Sequence, residues 1–238
     1  MNTTAIEWAH CFGPGSGFTW NPIVGCTYGC SYCYARRIAK RQRQNCELCY
    51  GFTPHLHWER LKQPLCRRKP TGIFLGSMTD LYGPEVPQGW RDRIWQTCAD
   101  TPQHRYFVLT KQPQNMRDDP PANVLLGFTA EDQSRLVKRL RDIDDMPRRR
   151  PIMVSLEPLL DDVYLSTGLL WYDSWVIVGG MTGQGLHESV SFPFMDRVNS
   201  IVDDCAALSI ACFVKDSAQG LGGLPRQWPE WITSVVTP

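Results

Sequence analysis

A parallel α/β fold, open or barrel-like, is what this sequence predicts, and three observations predict it. Short continuous apolar runs recur along the chain, segments with helical periodicity lie between them, and the runs end in polar residues. The runs are IFLGS (73–77), YFVLT (106–110), VLLGFT (124–129), IMVSLE (152–157), WVIVGG (175–180) and IACFVK (210–215). Runs this short, rich in β-branched and aromatic residues, read as strands buried on both faces, which implies a parallel sheet. Their spacing of roughly 20 to 30 residues suits a strand plus a crossover helix.

The helices follow in order. Residues 34–44 make the first. Residues 88–100 place Trp90, Ile94 and Cys98 on one stripe, and 131–143 do the same with Leu136, Leu140 and Ile143. Residues 194–208 carry Met195, Val198, Ile201 and Val202. In such folds the site lies at the C-terminal ends of the strands. The polar residues there are Ser77, Thr79 and Asp80; Thr110 and Lys111; Thr129 and Glu131; Ser155 and Glu157; Lys215 and Asp216. Any one of them alone reads as a helix cap. Five strands ending this way point to a shared pocket.

The bulk numbers bound the rest. With 238 residues and a 42% hydrophobic fraction, the chain can bury a sizeable core as a single domain. Lys plus Arg total 25 against 24 for Asp plus Glu, so overall charge selects no partner. No apolar run approaches the ~18 residues of a membrane span, and the N-terminus lacks the pattern of a signal peptide. A cytoplasmic protein with no membrane partner is expected. Ten cysteines are many for such a protein, and in a reducing compartment clustered cysteines point to metal or catalysis. The scattered Cys98, Cys205 and Cys212 read as small buried hydrophobes.

Cys26, Cys30 and Cys33 form a C-x3-C-x2-C loop with glycines at 25 and 29. Three thiolates at this spacing can hold one corner of an iron–sulfur cube and leave an iron free for a chelating substrate. The rival is zinc with a distant fourth ligand. A second constellation, Cys46, Cys49, His55 and His57, offers four ligands within twelve residues. It reads either as tetrahedral zinc in a small insertion spanning 45–66, or as a plain surface loop. A second iron–sulfur cluster drawing on Cys11 or Cys66 is a weaker option. Basic runs lie at Arg36, Arg37, Lys40, Arg41 and Arg43, at Arg67–Lys69, and at Arg148–Arg150. Interleaved with Tyr34, Tyr50, Phe52 and Trp58, the first two suit a nucleic-acid groove, although a basic run alone is usually a solvated face.

The three-cysteine loop, with Tyr32 before its last cysteine, resembles the signature of the radical SAM superfamily. That resemblance implies a partial (β/α)6 barrel, a [4Fe-4S] cluster on Cys26, Cys30 and Cys33, S-adenosylmethionine (SAM) on the open iron, and Tyr32 beside the adenine. It also implies an electron donor such as flavodoxin or ferredoxin. Further blocks run across nearly the whole chain: Thr19-Trp20-Asn21-Pro22, Arg67–Pro70, Ser77–Tyr82, Leu109-Thr110-Lys111, Ser155–Leu159 and Trp175–Gly180. These look like a phage-associated radical SAM family long catalogued as a domain of unknown function. Residues 77–85 and the Thr110-Lys111 pair also resemble motifs of spore photoproduct lyase, in which the matching serine or threonine and lysine contact SAM. By that likeness Ser77, Thr79, Asp80 and Lys111 bind SAM.

The resemblance implies radical chemistry on a nucleobase, with isomerisation of glycinyl-thymine from an N-linked to a C-linked form in phage DNA as the leading specific expectation. Glu157, Lys215 and Asp216 would then face the modified thymine. Two positions depart from the phage pattern: Met181 stands where Glu is usual after Gly179-Gly180, and Asp216 where Gln often follows the lysine. Pyrimidine-dimer repair is the runner-up, although no hydrogen-donor cysteine stands at a matching motif. A non-catalytic metal-binding nucleic-acid module is the alternative from another class, and it would need neither Lys111 nor the Ser77–Asp80 block.

Overall fold

The computed structural model describes residues 1–41, 46–144, 151–166, 170, 173–181, 192–220 and 223–234. Arg43 and Arg148–Arg150, singled out above, and residue 45 of the expected insertion lie outside them. The described strands are β1 (Asn2–Thr3), β2 (Gly17–Trp20), β3 (Ile23–Val24), β4 (His55–Leu56), β5 (Gly72–Leu75), β6 (Arg105–Thr110), β7 (Val124–Thr129), β8 (Met153–Leu156), β9 (Trp175–Val178) and β10 (Ala211–Val214). The helices are α1 (Tyr34–Ala39), α2 (Glu47–Gly51), α3 (Gln88–Ala99), α4 (Gln133–Asp144), α5 (Phe192–Ala207) and α6 (Glu230–Thr233). The fold is α/β, with an eight-stranded, mostly parallel sheet of order β1-β2-β5-β6-β7-β8-β9-β10 and a separate antiparallel pair, β3-β4. All six apolar runs are strands. No described helix is long and apolar enough to cross a membrane.

The chain divides into two compact units, 1–125 with 234–238, and 126–233. In the first, β2 pairs parallel with β5 and β5 with β6, while β1 adds an antiparallel edge that the expectation of an all-parallel sheet did not contain. Trp8 packs edge-on against Phe74 and Phe107, and Trp20 lies against Tyr106. The Trp20 indole N–H donates to the Arg60 carbonyl at 2.8 Å, which satisfies the one polar atom of a fully buried ring. α3 buries Ile94, Trp95, Thr97 and Cys98; Trp90, read from periodicity as part of the core stripe, is only half-buried.

In the second unit, β8, β9 and β10 pair in parallel register, with Leu156 and Val214 both level with Val178. Every residue of β8 and β9 is buried, as a strand covered on both faces requires. α4 buries Leu136, Leu140 and Ile143 as expected. It also buries Arg139, whose guanidinium pairs with Glu131 at 3.0 Å where both side chains are almost wholly covered. α5 buries Phe194, Val198, Ile201 and Cys205, so its apolar stripe is set differently from the expected one, with Met195 and Val202 at its margin. Cys98, Cys205 and Cys212 are buried, as the reading of small hydrophobes required.

Candidate metal and cofactor site

The three-cysteine loop leaves β3 through Gly25 and enters α1 at Cys33. Gly25 has φ +106°, and a Cβ there would come within 2.4 Å of the Thr53–Pro54 backbone, so only glycine fits. Gly29 also turns through positive φ, at +79°. The loop is pinned to the segment after β5. The Gly25 N–H donates to the Met78 carbonyl at 3.0 Å, the Thr79 hydroxyl donates to the Gly25 carbonyl at 2.6 Å, and the Thr27 N–H donates to Glu85 Oε1 at 2.9 Å.

The sulfurs themselves accept backbone bonds. Cys26 Sγ accepts from the Tyr28 N–H and Cys33 Sγ from the Arg36 N–H, each at 3.4 Å, the second as the N-cap of α1. All three cysteines are half-buried. Burial pushes the Cys26 thiol up to about 11, and the charges of Asp80, Glu85 and Cys30 push the same way, against the Tyr28 N–H. A cation at the sulfurs would reverse that balance.

The residues matched to SAM binding divide by what they touch. Lys111 Nζ stands 5.4 Å from the centre of the Tyr32 ring, so these two are brought together. Ser77 exchanges hydrogen bonds with the Asn21 carboxamide at 3.0 and 3.1 Å, while Asn21 Oδ1 also accepts from the Met78 N–H. Tyr34 donates its hydroxyl to the Ser77 carbonyl at 2.7 Å. Asp80 is buried and accepts from the Thr110 hydroxyl at 2.6 Å and from the N–H groups of Lys111 and Tyr82 at 2.9 and 3.1 Å. Burial holds its carboxyl above the usual carboxylate range, opposed by those three donors. The roles of Asn21 and Glu85 were missed from sequence, although both lie inside the quoted blocks; nothing in a single chain marks a polar residue as a loop anchor.

Cys46, Cys49, His55 and His57 converge, with their ligand atoms all within 4.8 Å of one another, and they can hold a metal ion. Neither Cys11 nor Cys66 belongs to the group. Burial pushes the Cys49 thiol up to about 11, whereas the Cys49 N–H lowers that of Cys46. Burial also lowers the His57 pKa.

In the second unit Lys215 Nζ pairs with Glu157 Oε1 at 2.6 Å, and the Ser155 hydroxyl donates to Glu157 Oε2 at 3.2 Å. A Cβ at Gly179 would strike the Glu157 carboxyl at 2.5 Å, so this glycine leaves room for the acid. Asp216 pairs with Arg226. Of the residues read as a nucleic-acid groove, Tyr34, Tyr50 and Trp58 are exposed, as are Arg37, Lys40, Arg41, Arg68 and Lys69. Phe52 is not available for stacking on bases. It is buried beneath the Arg36 guanidinium, 5.1 Å from its ring centre.

Among the described residues, the ligand atoms that converge as a metal group are those of Cys46, Cys49, His55 and His57; Cys26, Cys30 and Cys33 share one tight, half-buried loop. Three thiolates on a tight loop suit an iron–sulfur cube, and an ammonium over an aromatic ring beside that loop suits a ligand with a carboxylate and a base. No curated protein and no solved structure matches the chain. A family model described as a protein of unknown function, DUF5131, matches residues 3–222. Since that match covers nearly the whole sequence, the chain belongs to the DUF5131 family.

Proposed function

We propose that this protein is a radical SAM enzyme that modifies a nucleobase. The observation that carries the reading is the half-buried three-cysteine loop, with backbone N–H groups on two of its sulfurs and Lys111 over Tyr32. Chain-order neighbours among the parallel strands of each unit agree with the partial (β/α)6 barrel that such enzymes use.

Cys26, Cys30 and Cys33 would hold a [4Fe-4S] cluster, leaving one iron for SAM. When bound and reduced, the cluster would supply the electron that splits SAM into methionine and a 5′-deoxyadenosyl radical able to take hydrogen from substrate. The chain's own residues set up that event. The N–H groups of Tyr28 and Arg36 donate to the sulfurs of Cys26 and Cys33 and orient them within the loop. Lys111 would pair with the SAM carboxylate, and Tyr32 would stand beside the adenine. Asp80 is a positioning residue, fixing Thr110 and the Lys111 backbone.

The favoured substrate is glycinyl-thymine in DNA, isomerised from an N-linked to a C-linked form. Glu157 and Lys215 neutralise each other at 2.6 Å, and a glycyl group carrying both an amine and a carboxylate can exchange into that pair. Asp216, paired with Arg226, would border the same group. A base buried in the stack must be flipped out, at a cost of a few kcal/mol, and exposed basic residues offset this through phosphate contacts. The test is to incubate anaerobically reconstituted enzyme, SAM and a flavodoxin-type reductant with DNA carrying glycinyl-thymine, then digest to nucleosides. A SAM-dependent product of unchanged mass and altered retention is expected. Formation of 5′-deoxyadenosine with no change in any thymine derivative would remove the substrate and leave the radical chemistry.

A further inference from the structure

We propose that Cys46, Cys49, His55 and His57 bind one zinc(II) ion in a closed tetrahedral site, and that this ion braces the three-cysteine loop. The inference stands apart from the radical SAM reading, because it requires nothing of what the loop holds.

The four ligand atoms all lie within 4.8 Å of one another, close to the spacing that a tetrahedral ion sets. Zinc–sulfur and zinc–nitrogen bonds of about 2.3 and 2.0–2.1 Å put ligand atoms about 3.3–3.8 Å apart. Here His55 Nε2 lies 3.5 Å from each of the two sulfurs, and His57 Nε2 lies 3.2 Å from Cys49 Sγ. The two Nε2 atoms are 2.9 Å apart.

The tautomers explain why a cation belongs between them. His55 Nδ1 lies 2.7 Å from the Thr53 carbonyl, which can only accept, so Nδ1 carries the proton. His57 Nδ1 is likewise 2.9 Å from a Glu59 carboxylate oxygen. With Nδ1 of each ring engaged by an acceptor, both Nε2 atoms face the same space, 2.9 Å apart and beside the two sulfurs. Histidine ligands of metals are oriented in this way, with the second nitrogen donating to a carbonyl or carboxylate. Four protein ligands leave no open position, which marks a structural rather than a catalytic ion.

The site is built into the loop's foundations. His55 is the cross-strand partner of Val24, two residues before Cys26. The Thr53–Pro54 backbone, between the ligand pairs, is what Gly25 accommodates by lacking a side chain. Cys49 shares one apolar cluster with Val24, Ala35, Ala39 and Phe52, and Cys26, Cys33 and Cys46 all pack against it.

The experiment uses the full chain and three variants: Cys46→Ser, His57→Ala, and a triple change of Cys26, Cys30 and Cys33 to Ala. Elemental analysis should find about one zinc per chain in the parent and in the triple variant, with at least a fivefold loss in the other two. Cobalt(II) replacing zinc in the triple variant should give the ligand-field bands of a tetrahedral thiolate site. Absence of both zinc and cobalt uptake would overturn the site. For the brace, amide exchange over residues 23–33 should quicken about tenfold when zinc is removed from the triple variant by chelator, and slow again on its return. Unchanged exchange would overturn the brace. Zinc at full occupancy in a parent chain that takes up no iron would count against the proposed function and leave this inference intact.

Discussion

Lys111 and Asp80 are neighbours in space with separable duties, and substitution tells them apart. The Lys111 ammonium faces Tyr32, while its backbone N–H is held by Asp80. Lys111→Ala should therefore weaken SAM binding about ten- to a hundredfold, the loss of one charge-assisted contact, with iron content unchanged. Calorimetric titration of the reconstituted variant reads this directly; unaltered affinity removes Lys111 from the site. Asp80→Ala instead strands three donors in the interior, so the chain should lose about 3 kcal/mol in urea unfolding. The two residues were both legible as parts of a strand-end site. Their difference was not, because it rests on burial and on which atoms meet, which no single sequence states. The same limit hid Asn21 and Glu85, and it made Phe52 look like a stacking surface when it lies under Arg36.

At the scale of elements, Cys33 serves both as a cap and as an expected ligand. It is the N-cap of α1, its sulfur accepting from the Arg36 N–H. Serine is a better cap than cysteine and a poor ligand for iron. Cys33→Ser should keep its far-UV circular dichroism and its melting temperature while losing most of the cluster absorbance after reconstitution. A variant that keeps a SAM-responsive cluster would take Cys33 off the ligand set. The central strands were readable because short runs of consecutive apolar residues such as those of Val124–Thr129, bounded by turn residues, suit a strand covered on both sides. β2, Gly17–Trp20, was not readable: four residues including Gly and Thr carry too little apolar signal, and it is the neighbours β1 and β5 that make it a strand. The β3–β4 pair escaped for the same reason, at two residues each. The stripe of α5 was misplaced because Phe194 and Cys205 were not counted among its apolar residues.

Over the whole molecule, a net charge of +1 selects no partner, and the functional weight rests on clusters of residues rather than on the sum. The α/β class was legible from the alternation of runs and periodic segments. The two compact units were not, since the first takes in residues 234–238 from the far end of the chain and no composition break marks residue 125. The convergence of Cys46, Cys49, His55 and His57 was legible only as a spacing that zinc or a plain loop would satisfy, because a cross-strand pairing at Val24 and His55 is what gathers them. If the three-cysteine loop holds a cluster that cleaves SAM, the yield of 5′-deoxyadenosine reports it. Anaerobically reconstituted parent chain, given SAM and dithionite, should bind about four irons at the loop and release 5′-deoxyadenosine and methionine in equal amounts. The Cys30→Ala chain should release neither above background. An iron-loaded parent that binds SAM but forms no 5′-deoxyadenosine, or a Cys30→Ala chain that forms as much as the parent, would contradict it.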